Sequence, residues 1–259
     1  MEIQNLNRVG ISKKYILKSS KEVEKYILSE KQEYYASLRE ACNNLRTKAL
    51  VWNKIIVLMA PVLRNFEIEI RGIGNIPEEN AVFVANHSNS HDYFVTKEVF
   101  AKIGRNVTPL GAWDGLSALS RLIFKMGDVT FIDRADKKTS EKGILNFCGK
   151  ILRESKDGII FGEGTWNLHP IRPMLAMKAG AIQVSFITGK PIVPVIFEYV
   201  EVPKECRKER DLYTKCVVQF GRVIYPDMGE SVFEQTQKVM RSMISMRENL
   251  WEEFGINVI

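Results

Sequence analysis

The stretch "VANHSNSHDYF", residues 84–94, places two of the chain's three histidines and an aspartate within six positions. "AVFVA" (81–85) before it is a short apolar run, the pattern of a strand buried on both faces of a parallel sheet. "NHSNS" (86–90) consists of turn and cap-forming residues. Ser90 is a candidate N-cap, and Asp92 falls in the first helical turn, where a carboxylate is favoured. The stretch therefore reads as strand, turn and helix start. His87 and Asp92 are five residues apart, about 140° around a regular helix, so a helix alone keeps them apart. A turn followed by a helix start lets them meet. In a parallel α/β sheet such a turn lies at the carboxyl edge, where binding sites gather.

The residues leave three readings open. A histidine held by an aspartate is a general-base unit, because the carboxylate sets the tautomer and stabilises the imidazolium. A hydrogen-bonded histidine in a polar turn is the structural alternative. His87 and His91, at i,i+4, could form half a metal site. That reading is weak, because position 88 is Ser where the HExxH pattern needs Glu, and the only other histidine is His169.

Working outward, residues 66–70 ("FEIEI") alternate strictly, as a strand does. Short apolar runs at 129–132, 158–161, 191–200 and 215–224 read as further strands. Residues 93–103, 115–125, 139–154, 174–188 and 231–254 read as helices. This alternation predicts an α/β domain over 65–259, with a mostly parallel central sheet flanked by helices.

Residues 1–64 read as a separate helical segment. Val23, Ile27, Tyr34, Leu38, Ala41 and Leu45 recur at helical spacing over 21–47. "ALVWNKIIVLMAPVL" (49–63) is apolar but broken by Asn53 and Lys54, and is shorter than the ~20 residues of a bilayer span. Residues 1–60 hold 11 Lys and Arg against 6 Asp and Glu, whereas the other 199 hold 26 and 25. A basic amphipathic helix beside an apolar one predicts docking on an anionic membrane surface. The alternative is a helix packed on the protein's own core. No nucleic-acid-binding motif accompanies the basic segment, so nucleic acid is not an expected partner. Cys42, Cys148, Cys206 and Cys216 show no CxxC spacing and read as reduced structural thiols of a cytoplasmic protein. The oligomeric state is not legible.

"NHSNSHD" resembles the NHxxxxD block of the PlsC-type glycerolipid acyltransferases, the lysophosphatidate acyltransferase family. Three more blocks follow in that family's order. "GDVTFIDR" (127–134) resembles the second, "FGEGTWN" (161–167) the FPEGTRS block, and "PIVPV" (191–195) the fourth, with "KAG" (178–180) between the last two. The resemblance spans about residues 65–225. It implies a glycerolipid acyltransferase-like fold and an O-acyltransferase of phospholipid biosynthesis. Such an enzyme moves a fatty acyl group from a thioester of CoA or acyl carrier protein to a hydroxyl of a lysophosphatidate-like lipid. It implies no cofactor, no metal, and a peripheral location on the cytoplasmic face of a membrane.

By the same resemblance His87 is the general base and Asp92 its orienter. Asn86, Arg134, Glu163, Gly164, Thr165 and Trp166 are substrate-binding positions, with Arg134 on the acceptor phosphate and Glu163 and Gly164 in the acceptor site. Read alone, Arg134 fits equally a surface pair with Asp133 or Asp136, and Glu163 a solvated turn. The third block departs from the family at Gly162 for Pro, Trp166 for Arg and Asn167 for Ser. A second cation for the phosphate is thereby missing. Either Arg134 works with Arg172 or Lys178, or the acceptor is a glycolipid or another lipid alcohol on which Trp166 stacks. A lipid-binding relative of weakened activity is a further alternative.

Overall fold

The computed structural model describes residues 20–44, 65–114, 116–169, 171–201 and 213–256. In chain order these form α1 (Ser20–Asn44), β1 (Glu67–Arg71), β2 (Val82–Ala85), α2 (Asp92–Lys102), β3 (Val107–Ala112), α3 (Ala118–Met126) and β4 (Thr130–Ile132). There follow α4 (Lys137–Arg153), β5 (Asp157–Phe161), α5 (Gly180–Thr188), β6 (Ile192–Glu201), β7 (Tyr213–Phe220) and α6 (Val232–Glu253).

The strands make one sheet in the order β1-β7-β6-β2-β5-β3-β4. Neighbours run parallel except β6 and β7. The expected fold class, a mostly parallel sheet flanked by helices, is the one observed. The apolar run at 81–85 is fully buried because both faces of β2 are covered. Val82 and Val84 face a core shared with Tyr35 of α1, Phe147 of α4, Ile182 of α5 and Met243 of α6. Phe83 and Ala85 face the opposite core with Val95, Val99 and Phe100 of α2.

Strand β3 was not foreseen, since Pro109 and Gly111 argue against a central strand. Its register explains the exception. β3 pairs with β5 over Val107–Leu110, and with β4 only over Leu110–Ala112. Pro109 thus lies where the strand has one neighbour. The helix expected from residue 174 begins only at Gly180. Leu175 and Lys178 instead direct their main-chain N–H groups to Glu163 Oε2 (2.8 Å) and Gly162 O (2.8 Å).

The described part of the amino-terminal segment is helical, as its periodicity predicts, and rests on the α/β body. The Tyr35 ring meets Phe186 edge to face at 5.2 Å. Arg39 Nε donates to Ile187 O (2.8 Å), and Lys31 Nζ to Met228 O (3.0 Å) and Glu230 O (2.7 Å). Tyr35 and Leu38 therefore belong to the core and not to a free apolar face. The apolar helix expected at 49–63 lies outside the described residues. Among the described residues no helix is long and apolar enough to cross a membrane.

The middle of the sheet is held chiefly by packing. Phe83 meets Phe100 at 4.7 Å and Phe220 at 5.8 Å, both edge to face. Phe83→Ala is expected to lower unfolding free energy by about 3–5 kcal/mol, measured by urea denaturation.

Candidate active site

Ala85 and Phe161 are in register as the last residues of adjacent strands β2 and β5. Gly162 N–H donates to Ala85 O at 2.8 Å, prolonging the ladder by one rung. The turns after both strands therefore leave the carboxyl edge side by side, carrying "NHSNSHD" and "GEGTWN" together.

His87 Nδ1 lies 2.7 Å from Asp92 Oδ2. Asp92 is fully buried, while the His87 side chain remains partly open. The same Oδ2 accepts from Ser88 N (3.0 Å) and Asn89 N (3.0 Å), and Oδ1 accepts from Tyr199 Oη (2.6 Å). The Asp92 carboxylate is the common acceptor of these contacts, so His87 donates from Nδ1 and its Nε2 carries the free lone pair. The expected N-cap at Ser90 is corrected. α2 starts at Asp92 behind His91, and no side chain caps it. Instead the Asp92 carboxylate reaches backwards to the preceding N–H groups, which folds the turn onto the pair.

The ring of His87 is held from two sides. Phe161 stacks on it at 4.4 Å, and Trp166 stands edge-on at 5.8 Å. Main-chain bonds fix the turn itself. His87 N donates to Glu163 Oε1 (3.0 Å), and Asn167 N to His87 O (2.6 Å). Glu163 thus has both oxygens bound to main-chain donors, His87 N and Leu175 N. Burial raises its pKa, and those donors oppose the rise. The resemblance puts Glu163 in the acceptor site; the buried Glu163 carboxylate joins the two site turns through these main-chain N–H groups.

Asn86 is likewise occupied. Its Nδ2 donates to Phe197 O (3.0 Å) and its Oδ1 accepts from Phe197 N (2.8 Å), fastening β2 to β6. Gly164 takes a left-handed φ of +68°, which favours glycine. A Cβ there would meet Lys178 Cγ at 3.5 Å and Arg134 Nη1 at 3.7 Å. Arg134 Nη1 donates to Gly164 O (2.6 Å), and Arg134 pairs with Asp114 at 2.5 Å, not with Asp133 or Asp136. That hydrogen-bonded pair holds the Asp114 carboxyl below its ordinary range. Two cations, Arg134 and Lys178, thus flank Gly164. Thr165 and Trp166 are exposed beside them.

The departures in this block have local causes. Gly162 needs its N–H for Ala85 O, which proline lacks, and a Cβ would come within 3.0 Å of Val84 Cγ1 and Met177 Cγ. Asn167 shapes the following loop, donating from Nδ2 to Arg172 O (2.9 Å) and accepting at Oδ1 from His169 N (3.1 Å). His91 turns away from His87. Its Nδ1 lies 2.7 Å from Asn89 Oδ1 and its ring meets Phe66 edge to face. Among the described residues no three His, Cys, Asp or Glu side chains converge as a metal site requires.

A sequence model of the family described as Acyltransferase matches residues 67–198, just over half of the chain. The chain belongs to the acyltransferase family. All of the site residues above except Tyr199 fall inside that match. A curated relative, the 1-acyl-sn-glycerol-3-phosphate acyltransferase of Pseudomonas aeruginosa, is 23% identical over 150 residues. The alignment covers 56% of this chain and 54% of that protein, so the chain spans about half the length of this relative. Among solved structures, the 1-acyl-sn-glycerophosphate (LPA) acyltransferase PlsC of Thermotoga maritima matches with a TM-score of 0.54 at 18% identity. That match covers 96% of this chain and 88% of the other, and the likeness is one of fold.

Tyr199, Phe161 and Asp114 are the site neighbours that the sequence did not reveal. Tyr199 reaches Asp92 only because β6 lies beside β2, and no local signal carries that adjacency. Burial and the Asp92 charge push its hydroxyl well up in pKa, so it stays a donor. Tyr199→Phe leaves Asp92 Oδ1 buried without a partner. The expected loss is about 1–3 kcal/mol, read from the urea midpoint, and an unchanged midpoint would show that the bond contributes nothing.

Proposed function

We propose that this acyltransferase-family chain transfers a fatty acyl group from a thioester, on CoA or acyl carrier protein, to a hydroxyl of a lysophosphatidate-like lipid. The observation that carries the reading is the His87–Asp92 pair, with Nδ1 bound to a buried carboxylate and Nε2 left as a base. Nε2 takes the hydroxyl proton as the acceptor oxygen attacks the thioester carbonyl. The C–S bond then breaks, and the imidazolium returns the proton to the thiolate. Asp92 stabilises the charge that His87 acquires. The products are an ester and a free thiol, and neither a cofactor nor an acyl-enzyme takes part.

The acceptor phosphate is assigned to Arg134 and Lys178, with Lys178 standing in for the cation missing at Trp166. Arg134 offers paired N–H donors, although it must share them with Asp114. Membrane lipids are then the substrates, and the protein works as a peripheral protein on the cytoplasmic face of a membrane. A second reading, a glycolipid or another lipid alcohol as acceptor, is favoured by the half-exposed Trp166 standing against His87.

His87→Ala is expected to fold and to lower acyl transfer by at least about 10³-fold, the upper part of the range for a general base. A folded variant of full activity would falsify the mechanism. Asp92→Asn separates charge from position. An amide can keep its oxygen on His87 and the main chain while its NH2 donates to Tyr199 Oη, which can turn to accept. It should therefore fold yet lose transfer almost as severely, as followed by thiol release. Arg134→Ala is expected to raise KM for a phosphate-bearing acceptor about tenfold or more with a smaller change in kcat. Equal KM values in a panel of lysophospholipids and glycolipids would move the choice to the second reading.

A further inference from the structure

Nine large hydrophobic side chains stand exposed among the described residues. Five of them, Leu119, Leu122, Trp166, Leu168 and Ile171, lie on two connections: α3 after β3, and the loop 165–172 after β5. Both connections leave the carboxyl edge that holds His87. Arg134 ties their starts together, bonding Asp114 on one side and Gly164 on the other.

α3 divides its apolar residues in an unusual way. Ile123 and Phe124 pack inward with Tyr93, Val129 and Phe131. Leu119 and Leu122, one turn apart on the outer face, are 66% and 56% exposed. On the loop, Leu168 and Ile171 are 77% and 46% exposed. Single exposed leucines need no explanation, but several on two connections that leave one sheet edge mark an interaction surface.

Within α3 and the loop the charge is of one sign, the exposed Asp114 before α3 being paired with Arg134. Arg121, Lys125 and Arg172 are exposed, and neither 116–126 nor 165–172 contains an Asp or Glu. Exposed leucines set among unopposed cations match a surface that is apolar beneath and anionic above. α1 is anchored elsewhere, with Arg39 on Ile187 O and Lys31 on Met228 O and Glu230 O.

We infer that α3 and the loop 165–172 form a docking face that seats the mouth of the site directly on an anionic lipid bilayer. The inference rests on the reading that the substrates are lipids, and adds which surface meets them. A lipid acceptor can then reach His87 between the two connections without crossing water.

Vesicle flotation of the full chain tests it, with phosphatidylcholine alone and with phosphatidylcholine containing phosphatidylglycerol. Wild type and His87→Ala are expected to float equally, and only with the anionic vesicles. The double substitution Leu119→Asp, Leu122→Asp should lower partitioning at least about tenfold, and Lys125→Gln about fivefold. Phe233→Asp, at an exposed residue on the first turn of α6 away from the site, should leave it unchanged. Circular dichroism establishes that each variant is folded. Leucine and lysine variants that float like wild type, or equal flotation on neutral vesicles, would overturn the inference. Acyl transfer to a lysolipid dispersed in detergent separates the two readings. Its absence in wild type would remove the catalytic reading alone, and its persistence in a leucine variant that no longer floats would support the docking face.

Discussion

A carboxylate with no solvent contact needs donors for its oxygens, and Asp92 has them from three directions. Its own turn supplies two main-chain N–H groups, His87 supplies Nδ1–H, and β6 supplies the hydroxyl of Tyr199. These bonds need β2, the start of α2 and the end of β6 to be in place together. The buried carboxylate is thus a condition on the fold as well as a part of the site. Glu163 repeats the device one turn away, using a second buried carboxylate to bind the main chain of both site turns. The imidazole is then held by one carboxylate through its ring and by the other through its backbone, with Phe161 against its face.

Much of this is legible in the amino-acid sequence. The buried strand at 81–85, the turn after it and the meeting of His87 with Asp92 follow from residue types and the five-residue spacing. The four blocks and their order pointed to the acyltransferase family. The details went astray where long-range partners decide. Ser90 looked like the cap because capping is judged locally, whereas the Asp92 side chain turns backwards to the N–H groups of Ser88 and Asn89. β3 was hidden by Pro109, which is tolerated only because β4 begins to pair one residue later. Residues 174–179 have helical character, but their N–H groups are drawn to Glu163 and Gly162. Tyr199 carries no mark of its role until β6 is known to lie beside β2.

Asn86 and Glu163 lie beside the His87–Asp92 pair, and both spend their polar atoms on main-chain partners. Gly164, Arg134 and Lys178 are the positions where polar groups gather around an open surface. Trp166 supplies an aromatic edge where a guanidinium would otherwise stand. Under the proposed function, acceptor choice depends on a small group of side chains at the end of β5, while the His87–Asp92 pair next to it is built rigidly into the sheet.

The central claim is direct acyl transfer to a lipid hydroxyl. Mass spectrometry of the wild-type protein incubated with a labelled acyl thioester and 1-acylglycerol 3-phosphate tests it most directly. The expected result is labelled diacylglycerol 3-phosphate formed in step with free thiol, with no label on the protein. Thiol release without ester, or label retained on a protein side chain, would contradict it.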